Sequence, residues 1–311
     1  MASMDVENPG QFRKLELKRF PAVSKRLSSE ARYWKNFKNA KVISHYAKIS
    51  DIDFSPVEPH DLAVSASTRV FIYDGPTGAE KKTLSRFRDV AYSGRFRSDG
   101  QLLVAGTGDA YVKVFDLSSR TVLRHFKGHS ASVQVARFGL NPTEIMSASD
   151  DASVRIWDMP TYKHKVVFNG HRDHVRCAIE GTSSASTWIS GSFDHSIRLW
   201  DARTGKMTMK MDQGAPVESI VLLPGGGLLA AAGHNGIKIW DLLGGGRMVQ
   251  HLETHRKAVT CLAVDSTNSR LISGSADQHI KFYDLQTYDV THAIQYDSAV
   301  LSVGISVSFL D

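Results

Sequence analysis

Residues 153–158 read Ser-Val-Arg-Ile-Trp-Asp, and residues 196–201 read Ser-Ile-Arg-Leu-Trp-Asp. The closing triplet of that phrase is apolar, aromatic, aspartate. It returns as Ile72-Tyr73-Asp74, Val114-Phe115-Asp116, Ile239-Trp240-Asp241 and Phe282-Tyr283-Asp284. Across the six copies, successive aspartates stand 42, 42, 43, 40 and 43 residues apart. Such a register is a structural repeat rather than a bias of composition. Ahead of each aromatic the side chains alternate, with Val154 and Ile156 on one side and Arg155 and Trp157 on the other, as a β-strand requires. Tight-turn residues separate the strands, as at Ser98-Asp99-Gly100 and Arg203-Thr204-Gly205.

A unit of this length holding four short strands is similar to the blade of a WD40 β-propeller. One blade cannot bury both faces of its sheet, so blades must stack radially into a ring. The fold expected is all-β, a WD40 propeller of six complete repeats and an incomplete seventh blade.

A second set of residues shares the period. Gly128-His129 and Gly170-His171 lie 28 or 29 residues before Trp157 and Trp200, and Thr254-His255 lies 28 before Tyr283. Aspartates Asp151, Asp194 and Asp277 stand at the intervening turns, with Asp109 in the second unit. A buried imidazole needs both ring nitrogens satisfied, and a carboxylate with a hydroxyl provides that. The pattern resembles the WD40 hydrogen-bond network, with Ser149, Ser192 and Ser275 as the expected hydroxyls. The first and fifth units depart from it, having Ser67 and His234 at the turn position and no Gly-His.

Counting strands to the ends makes residues 41–47 an outer strand that closes the ring on the last blade. Thr287–Ile294 is the next outer strand, and Ala299–Ser308 begins a seventh innermost strand. The expected domains are a basic N-terminal extension, 1–40, and the propeller, 41–311, with truncation of a seven-bladed protein as the favoured explanation.

The net charge of +6 is uneven. Residues 1–48 hold eleven Lys/Arg against four acids, while residues 49–311 hold 27 against 28. A basic arm on a neutral body suits nucleic acid or an acidic partner, or a solvated tail. Arg13, Lys14, Lys18, Arg19, Lys25 and Arg26 are its candidate contacts, and Arg86, Arg88, Arg95 and Arg97 form a second cluster beside Phe87 and Phe96. The most apolar stretch, residues 220–233, is interrupted by Pro224 and three glycines, so no spanning helix is expected. The polar N-terminus lacks the apolar run of a secretory signal. Cys177 and Cys261 each lie six residues after a repeat histidine and read as small buried hydrophobes in a reducing compartment. No dinucleotide, P-loop, nucleophile-elbow or zinc-protease motif occurs, so no catalytic residue, cofactor or metal is assigned.

Several stretches are more specific than the repeat. They are Tyr33-Trp34-Lys35-Asn36-Phe37-Lys38, Ile52-Asp53-Phe54-Ser55-Pro56, Ser85-Arg86-Phe87-Arg88-Asp89, Gln213-Gly214-Ala215-Pro216-Val217-Glu218-Ser219 and Trp240-Asp241-Leu242-Leu243. They resemble the U-three small nucleolar RNA-associated protein 15 family of the small-subunit processome, over roughly residues 30–300. The resemblance implies a nucleolar, non-catalytic scaffold supporting pre-ribosomal RNA transcription and 18S maturation. Its implied partners are other WD40 and helical-repeat subunits, and pre-ribosomal RNA with the small nucleolar ribonucleoprotein, directly or through those subunits. No membrane and no small-molecule substrate are implied. The family's C-terminal helical domain has no counterpart here. An unrelated WD40 adaptor, such as a ubiquitin-ligase receptor or signalling scaffold, is the alternative, because propellers host many functions.

Overall fold

The computed structural model describes residues 42–181, 186–234 and 236–306. Within them the chain forms six four-stranded antiparallel sheets, each taking its strands in sequence order from the ring's interior outward. Blade 1 is β1 (Ile49–Phe54), β2 (Leu62–Ala66), β3 (Arg69–Tyr73) and β4 (Glu80–Leu84). Blade 2 is β5 (Arg95–Phe96), β6 (Leu102–Gly106), β7 (Tyr111–Asp116) and β8 (Thr121–Lys127). Blade 3 is β9 (Val133–Phe138), β10 (Glu144–Ser149), β11 (Ser153–Asp158) and β12 (Lys163–Asn169). Blade 4 is β13 (Val175–Glu180), β14 (Thr187–Ser192), β15 (Ser196–Asp201) and β16 (Lys206–Asp212). Blade 5 is β17 (Val217–Leu222), β18 (Leu228–Gly233), β19 (Gly236–Asp241) and β20 (Arg247–Leu252). Blade 6 is β21 (Val259–Val264), β22 (Arg270–Ser275), β23 (His279–Asp284) and β24 (Val290–Gln295). The six blades stand in a ring, a β-propeller.

The repeated aromatic has a fixed place in this geometry. In every blade the register between third and fourth strands slips just before it, as at Ile156/Trp157 and Leu199/Trp200. A bulge there bends the outer strand and sharpens its twist. The ring then lies against the preceding blade, where Trp157 joins Val104, Val114 and Phe126 of blade 2 in one apolar cluster. Five such clusters join the six blades in succession.

Between blade 6 and blade 1 the arrangement differs. The expected seventh inner strand, Ala299–Ser308, does not form: residues 300–306 are irregular, and 307–308 lie outside the described residues. A strand needs a ladder, and no second strand stands beside this segment among the described residues. Its start is nonetheless seated like an inner strand. The Val300 amide donates to the Ser275 carbonyl at 3.1 Å, and the Thr260 hydroxyl donates to the Val300 carbonyl at 2.6 Å. Val300 presses on Gly274 as Val217 presses on Gly191: a Cβ on either glycine would come within 2.6 Å of the valine. Gly304 lies against Ile52 and Phe54 of blade 1. The segment therefore bridges the two ends of the ring.

Residues 42–47, expected as an outer strand, are also not a strand; residue 41 lies outside the described residues. Among them His45 is anchored on blade 1, its ring 4.8 Å from Phe71 and its Nε2 3.1 Å from the Tyr73 hydroxyl. That side-chain anchorage takes the place of edge pairing, and β24 pairs only with β23 among the described residues. The inner strands surround a central cavity of about 570 Å³ whose wall includes Ser50, Tyr92, Gln134, Arg176, Glu218, Thr260 and Leu301. These positions recur at the repeat interval, so Leu301 stands in the wall where a seventh inner strand would place it.

Candidate functional site

Blade 3 holds its histidine from both sides. His129 Nδ1 lies 2.8 Å from Asp151 Oδ2, and Nε2 lies 2.7 Å from Ser147 Oγ. Trp157 Nε1 donates to the same Ser147 oxygen at 2.7 Å. One protonation pattern satisfies every atom: Nδ1–H donates to the carboxylate, and the hydroxyl donates to Nε2 while accepting from the indole. Blade 4 repeats this as His171, Asp194, Ser190 and Trp200, with distances of 2.9, 2.7 and 2.8 Å. Blade 6 repeats it as His255, Asp277 and Ser273, at 2.9 and 2.7 Å. There the Tyr283 hydroxyl is 2.5 Å from Thr254 Oγ1 instead of bonding tightly to the serine.

The hydroxyls are thus Ser147, Ser190 and Ser273, two residues earlier than the expected Ser149, Ser192 and Ser275. Both members of each pair face the same side of the strand, so alternation does not separate them. Cross-strand register does. Ser147 is opposite Arg155, beside the tryptophan, whereas Ser149 lies at the strand end. Ser149 Oγ instead donates to the Ala131 carbonyl and accepts the Asp151 amide, each at 3.1 Å. Ser192 and Ser275 accept the Asp194 and Asp277 amides in the same way.

The three aspartates also accept backbone amides from Ser130, Arg172 and Arg256. Burial alone would raise their carboxyls, but histidine and amide donors, joined by a serine at Asp151 and Asp194, hold them well below the usual range. Burial drives the imidazoles of His171 and His255 below the ordinary histidine value, with the aspartates opposing in part.

Where the network is missing, its serine is missing, while blade 2 keeps the turn aspartate Asp109, which accepts from Thr107 and Lys113. The position ten residues before the aromatic is serine in blades 3, 4 and 6 but Ala63, Ala105 and Ala230 in blades 1, 2 and 5. In blade 2 the histidine position holds Phe87, whose ring is 5.0 Å from Phe115. In blade 5, Gln213 Oε1 accepts Trp240 Nε1 at 3.0 Å while its amide donates to the Ala231 carbonyl at 3.2 Å. In blade 1, His45 faces a tyrosine hydroxyl. Each blade keeps a complete polar set or an apolar or amide substitute, because a half-satisfied buried network is worse than none.

Serine, histidine and aspartate in hydrogen-bond order resemble a hydrolase triad. Here Ser147, Ser190 and Ser273 are fully buried, and indole or phenol groups crowd the same oxygen. No substrate carbonyl has a path to them, and the arrangement serves packing rather than nucleophilic attack. Among the described residues no group of three or more His, Cys, Asp and Glu is placed to share a metal ion, and no helix is long and apolar enough to cross a membrane. Cys177 and Cys261 are free and buried, and burial pushes the Cys261 thiol up to about 11.

The arginine cluster divides. Arg86 and Arg88 are exposed on either side of buried Phe87. Arg95 is turned inward onto Asp51 at 2.7 Å and Asp53 at 3.0 Å, so it is not offered to a partner. Arg97 is held by Asp99. Position along the strand explains the split: Arg95 and Arg97 belong to or adjoin β5, while Arg86 and Arg88 lie in the loop before it. Arg13, Lys14, Lys18, Arg19, Lys25 and Arg26 lie outside the described residues. The sequence reading did not single out Arg137, one repeat after Arg95. Arg95 beside it, together with burial, lowers its guanidinium to about 10, and its Nε has no partner among the described residues.

Compared with known proteins, the chain matches the WD40 family (WD domain, G-beta repeat) at residues 120–158, 162–201 and 246–284. It is 38% identical over 295 residues to the U3 small nucleolar RNA-associated protein 15 homolog of Xenopus laevis, covering 95% of this chain and 57% of that protein. The Schizosaccharomyces pombe U3 small nucleolar RNA-associated protein 15 is 38% identical over 296 residues, covering 94% and 60% respectively. The Arabidopsis thaliana protein SLOW WALKER 1 is 37% identical over 290 residues, covering 91% and 54%. The chain thus spans little more than half the length of the relatives it matches.

Proposed function

The chain is a WD40-repeat β-propeller, about 38% identical over 95% of its length to U3 small nucleolar RNA-associated protein 15 homologues, and on that premise we propose that it is a non-catalytic scaffold in ribosome biogenesis. In this reading it works in the nucleolus with other processome subunits and supports pre-rRNA transcription and 18S rRNA maturation. The observation that carries the reading is the extent of the similarity. It runs through 295 residues, far beyond the three segments that match the generic repeat. A rigid ring whose polar networks are internally satisfied presents loops and outer strands to partners without a reacting centre. The exposed Arg86 and Arg88 and the basic extension over residues 1–40 are proposed as further contacts to RNA or acidic protein.

The test is depletion of the endogenous protein in eukaryotic cells followed by expression of this chain. Restored 18S rRNA with unchanged 28S rRNA supports the reading. A chain that enters the nucleolus but restores nothing limits its role to association, and one that stays outside the nucleolus contradicts the proposal.

A further inference from the structure

The nearly neutral body hides a segregated surface. Strands β8, β12, β16 and β20, the outer edges of four successive blades, carry seven Lys/Arg and one acid. Yet residues 49–311 as a whole are almost balanced, with 27 Lys/Arg and 28 Asp/Glu. Lys127, Lys163, Lys206, Lys210 and Arg247 are exposed and make no ion pair among the described residues. Lys165 pairs with Glu144 at 2.6 Å, and the Arg124 guanidinium lies 4.4 Å over the exposed Tyr162 ring. The aspartates opposite Lys163, Lys206 and Arg247 are turned into their own turns. Asp158 accepts from Thr161, Asp201 from the Arg203 amide, and Asp241 from the Leu243 and Gly244 amides.

Outer-strand lysines also guard sheet edges against pairing with other chains. That role would apply to every edge. β24, the outer strand of blade 6, has no Lys or Arg at all and exposes Val290. On β4, the outer strand of blade 1, Lys81 is held by Asp61 and Asp74 and Lys82 by the Leu117 carbonyl, so the exposed cations without an ion pair among the described outer strands are those of blades 2 to 5.

We infer that the outer rim of blades 2 to 5 is a phosphate-binding track for RNA. The cations sit on a convex edge along successive blades rather than in a cleft. A polyanion whose charge repeats along its length satisfies such a track, whereas a compact acidic peptide reaches one or two strands. Tyr162, about half exposed and with Arg124 over one face, offers a ring for a base to stack on. Recognition of this kind is independent of sequence and falls with salt. The inference rests on the proposed RNA-associated scaffold but fails separately from it, because it is tested on the purified chain.

The experiment is fluorescence anisotropy with the full chain and a labelled single-stranded 30-nucleotide RNA of mixed sequence, across a series of KCl concentrations. One variant carries Lys163→Glu, Lys206→Glu, Lys210→Glu and Arg247→Glu. A second, with the same change in net charge, carries Arg69→Glu, Arg172→Glu, Arg256→Glu and Lys257→Glu, all away from the outer strands. The rim variant is expected to lose at least about tenfold in affinity at 150 mM salt. Its slope of log K against log salt is expected to flatten by about 0.7 per lost phosphate contact. The matched variant should lose much less. Equal losses in both would reduce the effect to net charge and overturn the inference, as would no loss in the rim variant. Displacement of RNA by poly-glutamate at equal charge would overturn the choice of RNA. If the glutamate variant does not fold, the same four positions as Gln give the same readout with a smaller loss.

Discussion

Ser147 joins two buried nitrogens that have no other partner among the described residues, His129 Nε2 and Trp157 Nε1. Ser147→Ala should cost about 2–4 kcal/mol, since both are then left unsatisfied in a dry site. Ser149→Ala removes only a turn contact and should cost about 1 kcal/mol. Chemical denaturation of the two variants checks this, and equal losses would restore Ser149 to the network. Arg95 and Arg137 make a second pair of contrasts. Arg95→Met strands the carboxylates of Asp51 and Asp53 and should cost about 3–5 kcal/mol. Arg137→Met removes a half-buried cation that repels Arg95 and should leave the melting temperature unchanged or raise it. The histidines add a pH dependence. Burial lowers His171 and His255 in the folded state, so protons bind the unfolded chain more tightly. The stability they hold is complete above the unfolded histidine value near 6.5 and is lost as pH falls below it, by at most about 1.4 kcal/mol per pH unit for each. Denaturation midpoints between pH 8 and 5 should be flat and then decline; a rise on acidification contradicts the assignment.

At the scale of the strand, the six aromatics and their spacing were legible because each sits at a bulge that every blade needs. The serine of the network was not, since Ser147 and Ser149 share a face and only the pairing with β11 separates them. Nor were His45 and Gln213 legible, because the expected signal was Gly-His, and neither carries the glycine. Both stand near the repeat offset, 28 and 27 residues before Tyr73 and Trp240, so the offset was a better guide than the dipeptide. The arginine cluster failed for a related reason: closeness in sequence does not survive a loop that turns into a strand. The glycines before the valines give an element-level contrast. Gly191→Ala would drive a methyl into Val217 and Cys177, both fixed in strands, and should cost about 1–3 kcal/mol. Gly274→Ala meets Cys261 and Val300, and Val300 belongs to a segment without a ladder, so the strain relaxes there and the loss should be smaller. Equal losses would mean that residues 300–306 are held as firmly as a strand.

At the largest scale, the six blades form a ring joined by five apolar clusters, with residues 300–306 lying between the sixth blade and the first. Histidine networks fix blades 3, 4 and 6, and substitutes serve the others, so the ring spends its polar chemistry on its own architecture. What it presents outward is shape and charge, as a scaffold requires. The most direct measurement is affinity purification of the tagged 311-residue chain from a eukaryotic nuclear extract, with quantification of U3 small nucleolar RNA and pre-ribosomal RNA in the eluate. A scaffold of ribosome biogenesis should enrich both well above a tagged unrelated propeller, together with other processome subunits. An eluate containing neither RNA, from a chain whose melting curve shows it folded, would contradict the reading.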